Sequence, residues 1–217
     1  MAGTRKISSS GGGSGSLDRL APDYDAEARK LFELLNLSPS GEASEESSRL
    51  YCYRDLDAVW QHPKTGARVF IGNATASSRA AILRQNDITH IVNCTSDMRN
   101  EFEGCDDPAI EYYRFDIYRY FRELDLRNSD GVFPFFKPVF EWIDNATAEG
   151  RSVLIHCLAG AHRAGTTGVA FTMHAANLDH RTAIAACKAC RPAVDPIGDL
   201  TTLLAQLEAG LREERGT

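Results

Sequence analysis

The chain has 217 residues, of which 43% are hydrophobic and 25% are charged, and its formal net charge is −6 at pH 7. This length and composition are typical of one well-buried globular domain with a short appendage. The negative charge argues against a nucleic-acid coat protein or a polybasic membrane tether. No apolar run approaches the roughly 18–20 residues that a transmembrane helix needs.

The first 49 residues are predicted to lie outside the main domain. Residues 1–20 contain the run ISSSGGGSGS and form a predicted flexible tail, which lacks the apolar stretch of a secretory signal. In residues 21–49, the stretch DYDAEARKLFELLNL predicts a short amphipathic helix, and SPSGEASEESS predicts a polar linker. The six cysteines of a chain without a signal peptide are expected to be reduced, which indicates a cytoplasmic protein.

Residues 50–212 alternate between strand-like and helix-like patterns and form the predicted main domain. Strands are predicted at residues 67–72, 88–94, 110–117 and 152–157. Helices are predicted at residues 75–87, from about 136 to 150, and at 163–176, 179–190 and 198–212. This alternation predicts an α/β fold with a central, mainly parallel sheet of about five strands, flanked by helices on both faces.

The stretch VLIHCLAGAHRAGT, residues 153–166, is the main candidate for a functional site. A buried strand ends at His156 and Cys157, and a loop of small residues then leads to Arg163 and a helix. Such a loop directs successive backbone N–H groups at one point, where the positive end of the helix also lies. Arg163 adds a planar fork for two phosphate oxygens, and this positive environment favours the thiolate form of Cys157.

This Cys-x5-Arg arrangement after a buried His-Cys strand end resembles the cysteine-based protein tyrosine phosphatase superfamily, and most closely its dual-specificity branch. The segments RVFIGNATASSRAAILRQNDITHIVNCTSD and FEWIDNATAEGRSVLIHC are also similar to that branch, so the resemblance covers roughly residues 50–212. It implies a phosphatase fold, Cys157 as nucleophile and no metal or other cofactor. The phosphate would be held by the loop of Leu158, Ala159, Gly160, Ala161, His162 and Arg163.

The resemblance also implies an aspartate that donates a proton, on a loop some thirty residues before the nucleophile. Asp125 lies 32 positions before Cys157 and is the preferred candidate, with Asp130 as the alternative. Asp116 is expected within a strand. A merely structural role for Asp125 in its loop stays open.

Several nearby residues have both a functional and a structural interpretation. The resemblance implies that His156 orients the loop and stabilises the thiolate, although it could be a simple core histidine. His162 either touches the substrate at the pocket rim or faces solvent. One or two of the tyrosines Tyr112, Tyr113, Tyr118 and Tyr120 could flank the pocket.

Two departures from the family concern the chemistry. Ala164 stands where relatives carry Ser or Thr, so the second chemical step could be slow unless Thr166 or Thr167 substitutes. The loop also contains the pair Ala159-Gly160, which is similar to the Ala-Gly pair of glucan phosphatases, but it lacks their second glycine.

Three of the remaining cysteines have a possible redox or metal-binding role. Cys94 ends a strand that should approach the loop, where some relatives carry a resolving cysteine, so a peroxide-driven Cys157–Cys94 disulfide is one hypothesis. A small core residue is the alternative. Cys187 and Cys190 form a single Cys-x-x-Cys without a partner pair, which indicates helix packing and not a zinc site.

The expected function is hydrolysis of phosphotyrosine and phosphoserine/threonine in proteins through a phosphocysteine intermediate, with a phosphorylated protein as partner and no nucleic acid or membrane. The same chemistry on a glucan, a phosphoinositide or an RNA 5′ phosphate is the first alternative. The second, supported by Ala164, is a weakly active phosphate-binding scaffold.

Overall fold

The computed structural model of the protein describes residues 23–34, without the side chains of 31–34, and residues 53–216. The predicted Gly/Ser tail and polar linker lie outside these ranges. Among the described residues, no helix combines the length and apolar character needed to cross a bilayer. These ranges include the start of the predicted N-terminal helix and nearly all of the predicted main domain.

The strands form one mixed sheet. They are β1 (Leu56–Gln61), β2 (Arg68–Gly72), β3 (Ile88–Asn93), β4 (Glu111–Arg114) and β5 (Ser152–His156). Their order is β1-β2-β5-β3-β4, with β1 antiparallel to β2 and the other three pairings parallel. The mainly parallel sheet is confirmed, and β5 lies at its centre.

The helices follow the strands in the order expected of an α/β fold. They are α1 (Tyr24–Leu34), α2 (Ala74–Ser78), α3 (Ala80–Gln85), α4 (Tyr120–Glu123), α5 (Val132–Ala148), α6 (Arg163–Ala176), α7 (His180–Cys190) and α8 (Asp199–Arg215), with a 3-10 turn at Ile117–Arg119.

Burial on both faces of the sheet explains why the central strand is a continuous apolar run. Val153 and Ile155 of β5 belong to the larger core cluster, which also includes residues of α5, α6 and α8. Leu154, between them, belongs to a second cluster with Leu83 of α3 and Ala76 of α2. A parallel strand covered on both faces needs apolar side chains at successive positions.

The structure differs from the predicted elements in four places. The strand β1 was not predicted. The single helix expected between β2 and β3 is two helices, because Arg79 has an extended backbone (φ −110°, ψ 106°). The helix expected from about residue 136 begins at Val132, because Gly131 (φ 76°) turns the chain into it. The strand expected through residue 117 ends at Arg114.

The helix after the central strand approaches the sheet closely at one glycine. A Cβ atom placed on Gly168 of α6 would lie 2.4 Å from Cδ1 of Ile71 in β2. Any side chain there would push α6 away from the sheet. The glycine thus lets the N-terminus of α6 sit directly at the carboxyl end of β5.

Candidate active site

The loop of residues 157–162 connects the end of β5 to the first residue of α6. Cys157 is 2% exposed and Arg163 is 8% exposed, so the nucleophile candidate and the arginine are both buried at the two ends of this loop. Parallel strands present their carboxyl ends at one edge of the sheet, and ligand sites of such folds form there. The loop therefore lies at the edge of the sheet where a ligand site is expected.

The first half of the loop is held by donors on its outer side. The Leu158 carbonyl accepts a hydrogen bond from the amide of Ala74 (3.0 Å). The Ala159 carbonyl accepts from the hydroxyl of Tyr53 (2.9 Å). These carbonyls therefore point away from the inside of the loop.

The second half of the loop is held in the same way. The Gly160 carbonyl accepts from Nε of Arg191 (2.9 Å), whose Nη2 also donates to Ala159 (3.2 Å). The Ala161 carbonyl accepts from the amide of Asp195 (3.0 Å). In a trans peptide the C=O and the following N–H point in opposite directions. Outward carbonyls at 158–161 thus direct the amides of 159–162 to the inside.

These inward amides make no hydrogen bonds to the residues that the structure describes. None of the amides of residues 158–162 donates to the backbone or a side chain of another described residue. Buried N–H groups are normally paired, and a cup of unpaired ones at a helix N-terminus is suited to an anion. The geometry of this loop is therefore compatible with the predicted phosphate site, which stays a prediction.

Arg191 is a functional residue that the sequence analysis missed. Its side chain is 1% exposed, lies 5.3 Å over the Tyr53 ring and pairs with Asp57 through a 2.9 Å contact between Nη1 and Oδ2. Nη1 also donates to the carbonyl of Arg54 (2.9 Å). The only local signal is an arginine before Pro192 at the end of a helix, and this signal does not reveal a partner 31 residues upstream at Gly160.

Gly160 is required by both its backbone and its surroundings. Its φ is 63°, and an added Cβ would lie 2.4 Å from the Gly72 carbonyl oxygen and 2.8 Å from Nη2 of Arg191. A residue with a side chain would be strained in this conformation and would collide with the end of β2. The glycine therefore allows the loop to lie directly against the sheet.

The nitrogens of the Arg163 guanidinium differ in their hydrogen bonding. Its Nη2 donates to a carboxylate oxygen of Asp25, in α1. Its Nε is buried and has no hydrogen-bond partner among the described residues. Burial lowers the pKa of Arg163, but the nearby charges of Cys157 and Asp25 outweigh it, so the net direction is upward and the guanidinium stays charged.

The two histidines of the loop have different environments. Burial lowers the pKa of His156 to about 3, against the opposite effect of the Cys157 backbone, so its ring is neutral. Neither of its ring nitrogens has a partner of normal hydrogen-bond geometry among the described residues. His162 is buried, and its Nδ1 lies 2.7 Å from the Asp195 carbonyl oxygen, so the solvent-facing alternative was wrong.

The predicted proton donors lie outside the pocket that contains Arg163. Asp125 is 46% exposed and forms a two-armed ion pair with Arg127, with a closest contact of 2.6 Å. Asp130 lines a separate surface cavity beside α5 and α8. Asp116, which was expected inside a strand, instead follows β4 and accepts a hydrogen bond from the Tyr118 amide (3.2 Å).

The Arg163 pocket is a small acidic cleft of about 260 Å³. Its lining comprises one guanidinium, four carboxylates and three other side chains: Arg163, Asp23, Asp25, Asp97, Asp116, Tyr24, Tyr118 and Ser96. Of the four tyrosines that were expected near the substrate pocket, Tyr118 lines this cleft. Asp116 and Asp97 are the carboxylates of the main domain at this place.

The hydroxyl groups after Ala164 are engaged inside α6. Thr166 donates to the His162 carbonyl (2.7 Å), and Thr167 donates to the Arg163 carbonyl (3.0 Å). Such back-bonding to the preceding turn is common for threonine in helices.

Cys94 lies at the end of β3, beside β5. It is fully buried, its amide donates to the His156 carbonyl (2.9 Å), and its Sγ lies 3.4 Å from Oγ1 of Thr167. Burial raises the pKa of its thiol. The disulfide between Cys94 and Cys157 stays a prediction.

The Cys-x-x-Cys pair of α7 is divided between core and surface. Cys187 is buried, with its Sγ 3.4 Å from Oγ1 of Thr172, and Cys190 is exposed. Residues 23–34 and 53–216 contain no group of three or more His, Cys, Asp or Glu side chains arranged to hold a metal ion.

Comparison with known sequences identifies the family. A family model described as the dual specificity phosphatase catalytic domain matches residues 69–209. Dual specificity protein phosphatase Mpk3 of Drosophila melanogaster is 30% identical over 150 residues, which are 69% of this chain and 34% of that protein. Human dual specificity protein phosphatase 9 is 30% identical over 148 residues, which are 68% and 36% of the two chains. This chain thus spans about a third of these two relatives.

Solved structures agree in fold. Human DUSP28 superimposes with a TM-score of 0.59 at 19% identity, over 73% of this chain and 96% of that one. A mouse putative dual specificity phosphatase complexed with zinc tungstate gives a TM-score of 0.59 at 21% identity, over 80% and 96%. The family model covers well over half of the sequence, including every element from β2 to most of α8. The chain belongs to the dual specificity phosphatase family.

Proposed function

We propose that this chain hydrolyses phosphotyrosine and phosphoserine/threonine in phosphorylated proteins through a phosphocysteine intermediate on Cys157. The observation that carries the proposal is the set of outward carbonyls at residues 158–161, which turns the loop amides to the inside of the loop between Cys157 and Arg163. An anion held there would have its phosphorus in line with the sulfur. Preorganised donors of this kind stabilise the charge that develops on the transferring phosphoryl group.

In the proposed first step, the Cys157 thiolate attacks phosphorus, a P–S bond forms and the P–O bond to the substrate breaks. The leaving oxygen takes a proton from an aspartic acid, and Arg163 and the loop amides hold the equatorial oxygens. In the second step, water attacks phosphorus and gives a proton to the same aspartate, the P–S bond breaks, and the thiolate and inorganic phosphate are released. Ala164 supplies no hydroxyl to ease this departure, so the second step is proposed to limit turnover.

The charge around the pocket supports a protein substrate over a highly anionic one. Asp97 and Asp116 of the main domain lie beside Arg163, and the described residues that line the pocket include no lysine. A polyphosphorylated lipid headgroup or a phosphate-rich glucan would meet repulsion from these carboxylates. A single phosphorylated side chain brings only one dianion into the cleft.

The intermediate can be trapped directly. The full chain is mixed with a ³²P-labelled phosphotyrosine peptide, quenched in acid within milliseconds and digested for peptide mapping. Label is expected on the peptide that contains Cys157, and its release should be unaffected by chelators because Arg163 and the amides supply the positive charge. Phosphate release without any labelled peptide would contradict the proposal. Parallel phosphothreonine and soluble glucan substrates separate the substrate classes.

The proton donor is tested by a pair of conservative substitutions. We expect Asp125→Asn to lower kcat by about 10²–10⁴ for an alkyl phosphate, and far less for p-nitrophenyl phosphate, whose leaving group needs no proton. Asp116→Asn is measured beside it, since Asp116 is the carboxylate that lines the Arg163 pocket. The prediction from spacing would be wrong if Asp116→Asn lowered kcat in a way that depends on the leaving group and Asp125→Asn did not lower kcat.

A second candidate function is a phosphate-binding scaffold with slow turnover. Ala164 favours it, because the family's hydroxyl is missing from this position. In the trapping experiment, a scaffold would accumulate labelled Cys157 peptide and release phosphate over minutes. Rapid multiple turnover would exclude this candidate.

A further inference from the structure

The N-terminal helix α1 lies over the candidate phosphate site. Asp25, in its first turn, accepts a hydrogen bond from Nη2 of Arg163, 138 positions further along the chain. The side chain of Arg163 is 10% exposed and that of Asp25 is 40% exposed. The carboxylate thus reaches inward from the surface to the arginine that would hold a phosphate.

Two further contacts hold α1 in this position. The Tyr24 hydroxyl is hydrogen-bonded to the Tyr120 hydroxyl (2.7 Å), and its ring meets that of Tyr118 edge to face at 5.9 Å. Both hydroxyl-bearing side chains of this hydrogen bond are buried. One side of α1 is therefore anchored in the main core.

The third contact is with the phosphate loop itself. Ala28, one turn after Tyr24, is 2% exposed and forms a small buried cluster with Ala159 and Ala161. A small side chain at Ala28 lets the helix backbone lie directly on the loop. The helix therefore touches the loop and its arginine at the same time.

The chemistry of the Asp25 contact is that of a competitor. Two oxygens of a phosphate dianion would engage both arms of a guanidinium, but here a carboxylate engages only Nη2, and Nε is left without a partner among the described residues. A dianion also could not share the cleft with the Asp25 carboxylate, because like charges a few ångströms apart repel strongly where water is excluded. Asp23 adds a second carboxylate from the same segment to the cleft.

We propose that α1 is an internal competitive inhibitor, in which Asp25 occupies the anion site of Arg163 and a phosphorylated substrate must displace the helix. The inference rests on the proposed function, because it takes residues 157–163 to be a phosphate site. The affinity for any oxyanion is reduced by the fraction of molecules in which α1 is in place. A factor that draws α1 away raises the apparent affinity without changing the loop.

The test compares oxyanion binding in the full chain and in matched variants. Tungstate binding is measured by calorimetry for wild type, Asp25→Asn and Glu27→Gln. Glu27 is a carboxylate two positions along the same helix, paired with Lys30 at 2.7 Å, so its variant controls for charge. Asp25→Asn is expected to tighten tungstate binding about tenfold or more, and Glu27→Gln by less than about twofold.

A steric variant separates displacement of the helix from a simple loss of charge. Ala28→Leu keeps Asp25 but cannot fit against Ala159 and Ala161, so it should lift α1 and also tighten tungstate binding. Hydrogen exchange supplies a measurement without any substitution, since tungstate should accelerate exchange of the α1 amides in wild type. Tightening in Asp25→Asn alone, with α1 amides unaffected by tungstate, would overturn the proposal.

The outcomes also separate this inference from the proposed function. Tighter tungstate binding and faster α1 exchange in a chain that hydrolyses no phosphomonoester would support the helix as competitor and contradict the enzyme. If wild type hydrolyses phosphomonoesters, and Asp25→Asn has the same KM and the same tungstate affinity as wild type, the enzyme is supported and the helix as competitor is contradicted. Absence of tungstate binding in every variant would remove the site and the inference together.

Discussion

Replacing Cys157 with serine is expected to lower kcat/KM for an aryl phosphate by at least about 10⁴-fold, equivalent to about 5.5 kcal/mol of transition-state stabilisation. A serine hydroxyl is not ionised at neutral pH, and burial lowers the pKa of the neighbouring His156 to about 3, which makes that ring too weak a base to activate the hydroxyl. The substitution is nearly isosteric, so the loop and its anion affinity should persist. Initial rates and tungstate affinity measure the two effects.

Cys190→Ser is the matched control for this prediction. Cys190 is exposed at the end of α7, and serine there is nearly isosteric, so its replacement should leave the rate unchanged. A Cys157→Ser protein that retained more than about 1% of wild-type kcat/KM, a loss of less than about 2.7 kcal/mol, would show that the thiol is not the nucleophile.

The second large effect is expected from Arg191→Met, which should destabilise the fold and deform the phosphate loop together. The guanidinium is buried and pairs with Asp57, and removing one partner of a buried ion pair costs about 3–5 kcal/mol. The carbonyls of Ala159 and Gly160 also lose Arg191 as donor. We expect a lower midpoint of denaturant-induced unfolding. We also expect the folded protein, measured without denaturant, to bind tungstate more weakly.

Arg191→Lys distinguishes a positioning role from a purely structural one. Lysine keeps the charge opposite Asp57 but cannot donate to Gly160, Ala159 and Arg54 at once, since it lacks the planar fork. Stability should recover more than tungstate affinity does. Equal recovery of both would mean that Arg191 acts only on stability.

A surface arginine provides the control for these variants. The Arg84–Asp107 pair has the same chemistry, with a 2.7 Å contact, but its side chains are 52% and 81% exposed. Exposed pairs contribute about 0–1 kcal/mol, so Arg84→Met should change neither the midpoint nor tungstate binding noticeably.

The site was predictable from sequence where it depends on local geometry. Cys157, Gly160 and Arg163 are six residues apart at most, and a strand end, a turn and a helix start fix their relation. The apolar run of β5 likewise reveals its burial on both faces. For the same reason the helix at 163–176 was predicted with its observed ends, Arg163 and Ala176.

Residues joined only through space were not predictable. Tyr53 and Arg191 hold the loop from 106 and 31 positions away, and neither is marked by a local pattern. The edge strand β1 has half-buried side chains and ends in polar residues, so its pattern is weak. Spacing favoured Asp125 as the proton donor and could not show that Asp116, at the start of the 3-10 turn, lines the Arg163 pocket.

By itself, the sequence determined the α/β class and predicted the loop from Cys157 to Arg163 between a strand and a helix, because short-range order along the chain specifies each of them. Only the tertiary structure decided which side chains support the loop from behind and that Asp25 lies on Arg163. These contacts join distant segments whose meeting depends on the packing of the whole sheet. Local hydrophobic and turn patterns carry no information about contacts between such distant residues.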